Sequence, residues 1–145
     1  MNGGGKNLIN MDFPIHYSLS RVGLPLIVTS SKPALCFLID TGATHNVLFS
    51  FVYAELQHLF PVLELKNDAT LMGIDGLMKN VSQIRGTIAF EGKQSDATFS
   101  VVDAEEAISM VQNESGIQIH GILGMPFLIE NKWILDFKKL QVRTE

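Results

Sequence analysis

A chain of 145 residues is long enough for one domain that buries roughly two-thirds of its unfolded surface, so neither disulfides nor a structural metal are needed to hold it. Its formal charge of -4, with 11 Lys and Arg residues and no basic cluster beyond Lys138-Lys139, argues against nucleic acid or an anionic membrane as its partner. Hydrophobic residues at 46% against 18% charged exceed what a solvated monomer requires, which favours self-association.

Residues 1–10 read as a flexible leader, with Gly3-Gly4-Gly5 at its centre, ahead of a single domain over residues 11–145. The leader lacks the apolar stretch of a signal peptide, and no run in the sequence has the length of a transmembrane segment, so a cytoplasmic setting is slightly favoured. Phe13, Ile15, Tyr17 and Leu19 alternate with other residues and predict a first, half-buried strand, with Pro14 placing it at a sheet edge. A second strand is expected over residues 23–29, then a turn at Ser30-Ser31-Lys32-Pro33. Residues 34–39 form a continuous apolar run, the pattern of a strand covered on both faces. Cys36 lies inside that run; as the one cysteine of the chain it is read as core packing.

Phe49, Val52, Tyr53, Leu56, Leu59 and Phe60 recur at helical spacing, with Ser50 as a cap and Pro61 as a stop. Two apolar-alternating segments between residues 69 and 89 flank Gly73-Ile74-Asp75-Gly76, the tip of a β-hairpin. A second hairpin is expected to turn at Glu91-Gly92-Lys93. Asp103 with Glu106 three residues later predicts the start of a helix running to about Asn113, where Glu105 and Glu106 offset the helix dipole. Ile117 and Ile119 open a strand into Gly121-Ile122-Leu123-Gly124, and Pro126 suits the first turn of a short helix. Residues 133–137 and 140–142 close the chain as a hairpin, with Trp133 as a core or interface anchor and Asp136 facing solvent or a turn. His16, His45, His58 and His120 are scattered with no ligand cluster around them, so no metal site and no cofactor are expected.

The most informative stretch is Phe37-Leu38-Ile39-Asp40-Thr41-Gly42-Ala43, an apolar run that delivers one carboxylate into a tight turn. An acid mounted on a rigid strand end is suited to general acid or base chemistry. Only one such acid is present, so a carboxylate pair requires a second copy of the chain. A weaker echo of the same pattern, an apolar strand entering Leu123-Gly124, occurs in the second half.

Three segments together resemble the retropepsin-like aspartic proteases. Leu38-Ile39-Asp40-Thr41-Gly42-Ala43-Thr44 is similar to the active-site motif of that family, residues 72–79 to its glycine-rich flap tip, and Gly121-Ile122-Leu123-Gly124 to the apolar segment beneath its active site. Their order and spacing carry the resemblance across residues 13 to 137. It implies a mostly-β fold, a closed β-barrel with one or two short helices and a flap hairpin. It implies a homodimeric aspartic endopeptidase in which Asp40 of each copy forms a catalytic dyad. Thr41, Gly42 and Ala43 would support that acid, and Gly73, Ile74, Asp75 and Gly76 would close over an extended peptide substrate.

Five residues depart from the family pattern. Asn46 stands where the family usually has Ser or Thr, Thr44-His45 replaces acidic residues of viral members, Met125 replaces an Arg, and Asp75 puts a carboxylate at the flap tip in place of glycine. The missing Arg and acid normally pair near the dimer interface, so the subunits must join otherwise, and residues 133–142 are the candidate. These departures give standing to an alternative, a peptide-binding module on the same fold with weak or no catalysis.

Overall fold

The computed structural model describes residues 12–14, 18–20, 23–56, 58, 62–72, 78–103, 109, 112–113 and 116–144. Ten strands and two short helices are placed among them. β1 (Asp12–Pro14), β9 (Trp133–Asp136) and β10 (Gln141–Thr144) form a three-stranded antiparallel sheet in the order β1-β10-β9. A second sheet has the order β2-β3-β8-β4-β7-β6-β5, built from β2 (Leu26–Val28), β3 (Cys36–Ile39), β4 (Asn46–Phe49), β5 (Val62–Met72), β6 (Met78–Phe90), β7 (Lys93–Val102) and β8 (Gly121–Leu123). α1 (Ser50–Leu56) follows β4, and α2 (Met125–Glu130) follows β8. No helix among the described residues is long and apolar enough to cross a membrane.

The seven-stranded sheet curls back on itself. Beyond β2, the Ser30 N–H donates to Ala89 O in β6 at 2.9 Å and the Ser30 hydroxyl accepts from Gly92 N–H at 3.1 Å, so the first strand of the order returns to the sixth. Inside lies an apolar core in which Phe37, Leu48, Phe90, Phe99 and Leu123 are buried. The alternation in β6 is the expected one for a strand with a single inward face: Ile84, Ile88 and Phe90 are buried, while Arg85, Thr87 and Ala89 are only partly so. Trp133 packs edge-on against Phe127 and Phe90 at centroid separations of 4.8 and 5.2 Å, fastening the small sheet to this core.

The mostly-β architecture expected from the sequence is present, with local differences. The first strand is described at Asp12–Pro14, Ile15 and Tyr17 of the expected strand lie outside the described residues, and Leu19 sits in a helical turn at residues 18–20. The second strand is shorter than expected, and Ser50 is the first residue of α1 instead of its cap. β4 is an additional strand: in sequence Phe49 belongs to the helical periodicity that follows, and Val47 and Leu48 are assigned to no element; all four residues of β4 are buried. Ile117 and Ile119 lie outside any strand, since β8 begins only at Gly121. The tip of the first hairpin falls at residues 73–77, outside the described residues, as do Glu105 and Glu106 of the expected helix, of which Ser109, Gln112 and Asn113 are helical. The closing hairpin is present as β9 and β10, with Asp136 capping its turn.

The β6–β7 hairpin turns on two residues, because Phe90 pairs with Lys93. Both turn residues have positive φ, 50° at Glu91 and 83° at Gly92, the signature of a type I′ turn whose twist matches the flanking strands. A β-carbon at φ 50° is crowded, and Asn tolerates that conformation better than Glu. Glu91→Asn is therefore expected to raise unfolding free energy by about 0.5–1 kcal/mol, read as a higher urea midpoint with an unchanged slope.

Candidate active site

Asp40 is the first residue past β3, and its position follows from which strands neighbour it. β3 lies between β2, to which it is antiparallel, and β8, to which it is parallel, with Phe37 opposite Gly121, Leu38 opposite Ile122 and Ile39 opposite Leu123. The two similar segments of the sequence thus run side by side in the same direction. β8 is also antiparallel to β4, which runs parallel to β7, so the strand before Asp40 and the strand after its turn both grip β8.

The turn itself is laced to the second segment at several points. Asp40 N–H donates to Leu123 O at 3.0 Å, Ala43 N–H to Asp40 O at 3.1 Å, and Met125 N–H to Ala43 O at 3.0 Å. One carboxylate oxygen, Asp40 Oδ1, accepts from Gly42 N–H at 2.9 Å, which fixes the side chain by its own turn. Thr41 and Gly42 are exposed, Ala43 is half-buried, and the Asp40 residue is half-buried. Gly124 allows the close approach of the two segments: a Cβ there would lie 2.5 Å from His45 O and 2.8 Å from Ala43 O.

Asn46 holds this arrangement from below. Its residue is 2% exposed, and its Oδ1 accepts from Gly124 N–H and from Phe127 N–H, each at 3.0 Å, while Nδ2 donates to Thr98 O at 3.1 Å. Gly124, the N-cap of α2, has no side chain to satisfy the first helical N–H groups; the Asn46 oxygen supplies that acceptor from the other half of the sequence. In sequence Asn46 was legible as a departure from the family pattern, but its three bonds were not. The signal available there was a polar residue directly before an apolar run, which by itself does not say that it is buried.

His120 is a second residue whose role the sequence concealed. Its Nδ1 accepts from Cys36 N–H at 2.9 Å, its backbone N–H donates to Cys36 O at 2.8 Å, and its carbonyl accepts from Phe49 N–H at 3.0 Å. The half-buried ring thereby links the start of β3 to the end of β4 just ahead of β8. Burial holds its pKa below the ordinary 6.5. Burial also pushes the neighbouring Cys36 thiol up to about 11, so this cysteine stays a protonated, apolar filler.

A shallow depression of about 300 Å³ opens beside Asp40 and Thr41. Leu24, Pro25, Leu38 and Ile39 line it too, together with Leu135 and Phe137 from the closing hairpin. This brings the predicted Asp40 and Thr41 together with residues of the hairpin at residues 133–142. Gly73, Ile74, Asp75 and Gly76 lie outside the described residues. Among the described residues no group of three or more His, Cys, Asp or Glu side chains is placed to hold a metal ion.

In fold the chain is similar to retropepsin-like aspartic proteases of known structure. A retropepsin-like aspartic protease from Rickettsia conorii matches 92% of this chain and 98% of its own, with a TM-score of 0.55 and 18% identity. The EIAV protease complexed with the inhibitor HBY-793 matches 73% of this chain and 86% of its own, with a TM-score of 0.50 and 21% identity. No protein-family model and no curated protein matches the chain by sequence.

Replacing Asn46 by Ala leaves two buried N–H groups and one carbonyl without their partner, and should lower stability by about 3 kcal/mol in denaturant unfolding. Asn46→Asp keeps the acceptor but loses the donor to Thr98, and should be intermediate or worse because it buries a charge. For His120, the folded protein binds fewer protons than the unfolded chain between the lowered pKa and 6.5. Stability from this residue is therefore full above pH 6.5, falls as pH drops towards the lowered value, and levels off beneath it. His120→Gln should remove that component, seen as a smaller loss of stability between neutral and mildly acid pH than in the wild type.

Proposed function

We propose that this protein is an aspartic endopeptidase that works as a homodimer, with Asp40 of each copy contributing one carboxyl to a shared dyad. The observation that carries the reading is the placement of Asp40. It stands at the open end of a strand flanked by β2 and β8, with its backbone fastened to Leu123 and its carboxylate steadied by Gly42 N–H, beside an open apolar depression. That is an acid held rigidly where a peptide can reach it. The likeness in fold to two aspartic proteases supports the same reading.

The chemistry asks for two carboxyls. Like charges in contact cannot both ionise, so a pair of Asp40 side chains shares one proton. The ionised member takes a proton from water as the water oxygen attacks the scissile carbonyl, and the protonated member gives its proton to the carbonyl oxygen, forming a tetrahedral diol. Collapse of the diol breaks the C–N bond, the leaving nitrogen takes a proton, and the pair returns to its shared-proton state. One chain offers only half of this arrangement.

Other parts of the reading follow from that dyad. Residues 11–145 act as one catalytic domain. The β5–β6 hairpin, whose ladder continues to Met72 opposite Met78, ends in the lid formed by Gly73, Ile74, Asp75 and Gly76. Closure of that lid over an extended peptide would exclude water and align the scissile bond.

Cleavage of a peptide library by the purified chain, lost at least a thousandfold in Asp40→Asn while the thermal midpoint is kept, is the expected result. Cleavage that persists in Asp40→Asn overturns the dyad. Peptide binding without cleavage by the wild type at any pH between about 2 and 7, a span that covers the acid window in which such a dyad shares its proton, would favour the peptide-binding module instead.

A further inference from the structure

α2 is six residues long, about 9 Å from end to end, so its place is set by what grips it and not by its own helical stability. Its first turn is gripped by Asn46, whose Nδ2 donates to Thr98 O in β7. Its last residue, Glu130, is gripped from the same point of the sheet. Arg85 lies opposite Thr98 in the β6–β7 ladder, and its Nη1 donates to the Thr98 hydroxyl at 3.1 Å. The same guanidinium meets the Glu130 carboxylate as a fork, Nη2 on Oε2 and Nη1 on Oε1, the second contact at 3.5 Å. Thr98 thus holds both ends of α2, the front through its carbonyl and the back through its hydroxyl.

Glu130 stands at the end of a helix that favours a cation, because the last carbonyls there lack partners. α2 carries no basic residue in its last turn, and Arg85 brings that charge from another element. An exposed ion pair usually contributes little, but a forked guanidinium with a further bond behind it fixes direction as well as distance. The other end of α2 meets the turn of the acid. Met125, its first residue, donates its N–H to Ala43 O, and Leu123, two residues earlier, accepts from Asp40 N–H. A helix free to pivot about Asn46 would pull on both bonds. From this geometry we infer, on the dyad reading above, that Arg85 and Glu130 are positioning residues for Asp40: their fork sets where α2 lies, and α2 sets the backbone bonds that hold the acid.

Steady-state cleavage of a peptide library hit by the whole chain, together with amide hydrogen exchange, tests this. Arg85→Gln and Glu130→Gln are each expected to lower kcat about tenfold with KM held within about twofold, since a full 1 Å misplacement costs about a hundredfold and the pivot is smaller. Because the two side chains act as one contact, the double variant should be no worse than either single one. Arg85→Lys keeps the charge, loses the fork, and should lie between Arg85→Gln and the wild type. The pair is exposed, at 30% and 41% of its side-chain surface, so thermal midpoints should move by no more than about 3 °C. Thr87→Val breaks the bond from Thr87 to Asp96 on the same ladder, a tie that does not involve α2, and should leave kcat unchanged. Without turnover, the N–H groups of Asp40, Met125 and Phe127 should exchange at least about tenfold faster in Arg85→Gln. Additive losses in the two single variants overturn the inference, as does a kcat that stays at the wild-type level or falls only where the thermal midpoint falls with it. The protease reading fails separately. A wild type that cleaves nothing, while exchange at Asp40 responds to Arg85→Gln, keeps the clamp and removes the reaction; cleavage and exchange both indifferent to Arg85→Gln do the reverse.

Discussion

The carboxamide of Asn46 is the joint on which the geometry of the candidate site depends. Its oxygen accepts two N–H groups of the segment that follows β8, and its nitrogen reaches a carbonyl of β7, so three stretches of chain meet at one buried side chain. Buried polar groups are costly unless satisfied, and the cost makes the joint selective: any displacement of Gly124 or of the start of α2 leaves donors without acceptors. Above this joint the turn at Asp40 is fastened again, through Leu123 O and through Ala43 O. The acid is therefore positioned by backbone bonds on both flanks and by one side chain beneath them.

In the proposed dyad, that rigidity takes on its functional meaning in a pair. A single carboxylate in water has an ordinary acid's chemistry, while two held in contact share a proton and become acid and base together. The precision needed to bring two carboxyls together across a symmetry axis is the precision with which each chain holds its own.

Much of this was legible before any coordinates. The strand before Asp40 announced itself by an unbroken apolar run, the β6–β7 turn by Glu91-Gly92, the helix after β8 by Pro126, and the closing hairpin by its two apolar stretches. β4 is hidden because Phe49 also fits the phase of the helix that follows, and a fully buried strand has no alternation to betray it. Ile117 and Ile119 were read as a strand for the opposite reason: alternation was present, but their backbone joins no ladder.

Local sequence determined where the acid lies in its strand, how the chain turns after it, and which short elements flank it, because periodicity and turn chemistry act over a few residues. Only the tertiary structure decided that β3 and β8 run parallel, that Asn46 supplies the cap of a helix some 80 residues away, that His120 accepts a bond from Cys36, and that Phe137 stands beside Asp40. Each of these depends on hydrogen-bond partners or neighbours far apart in the chain. Such pairings are selected by the closure of the whole sheet around its core, and no window of sequence contains both members.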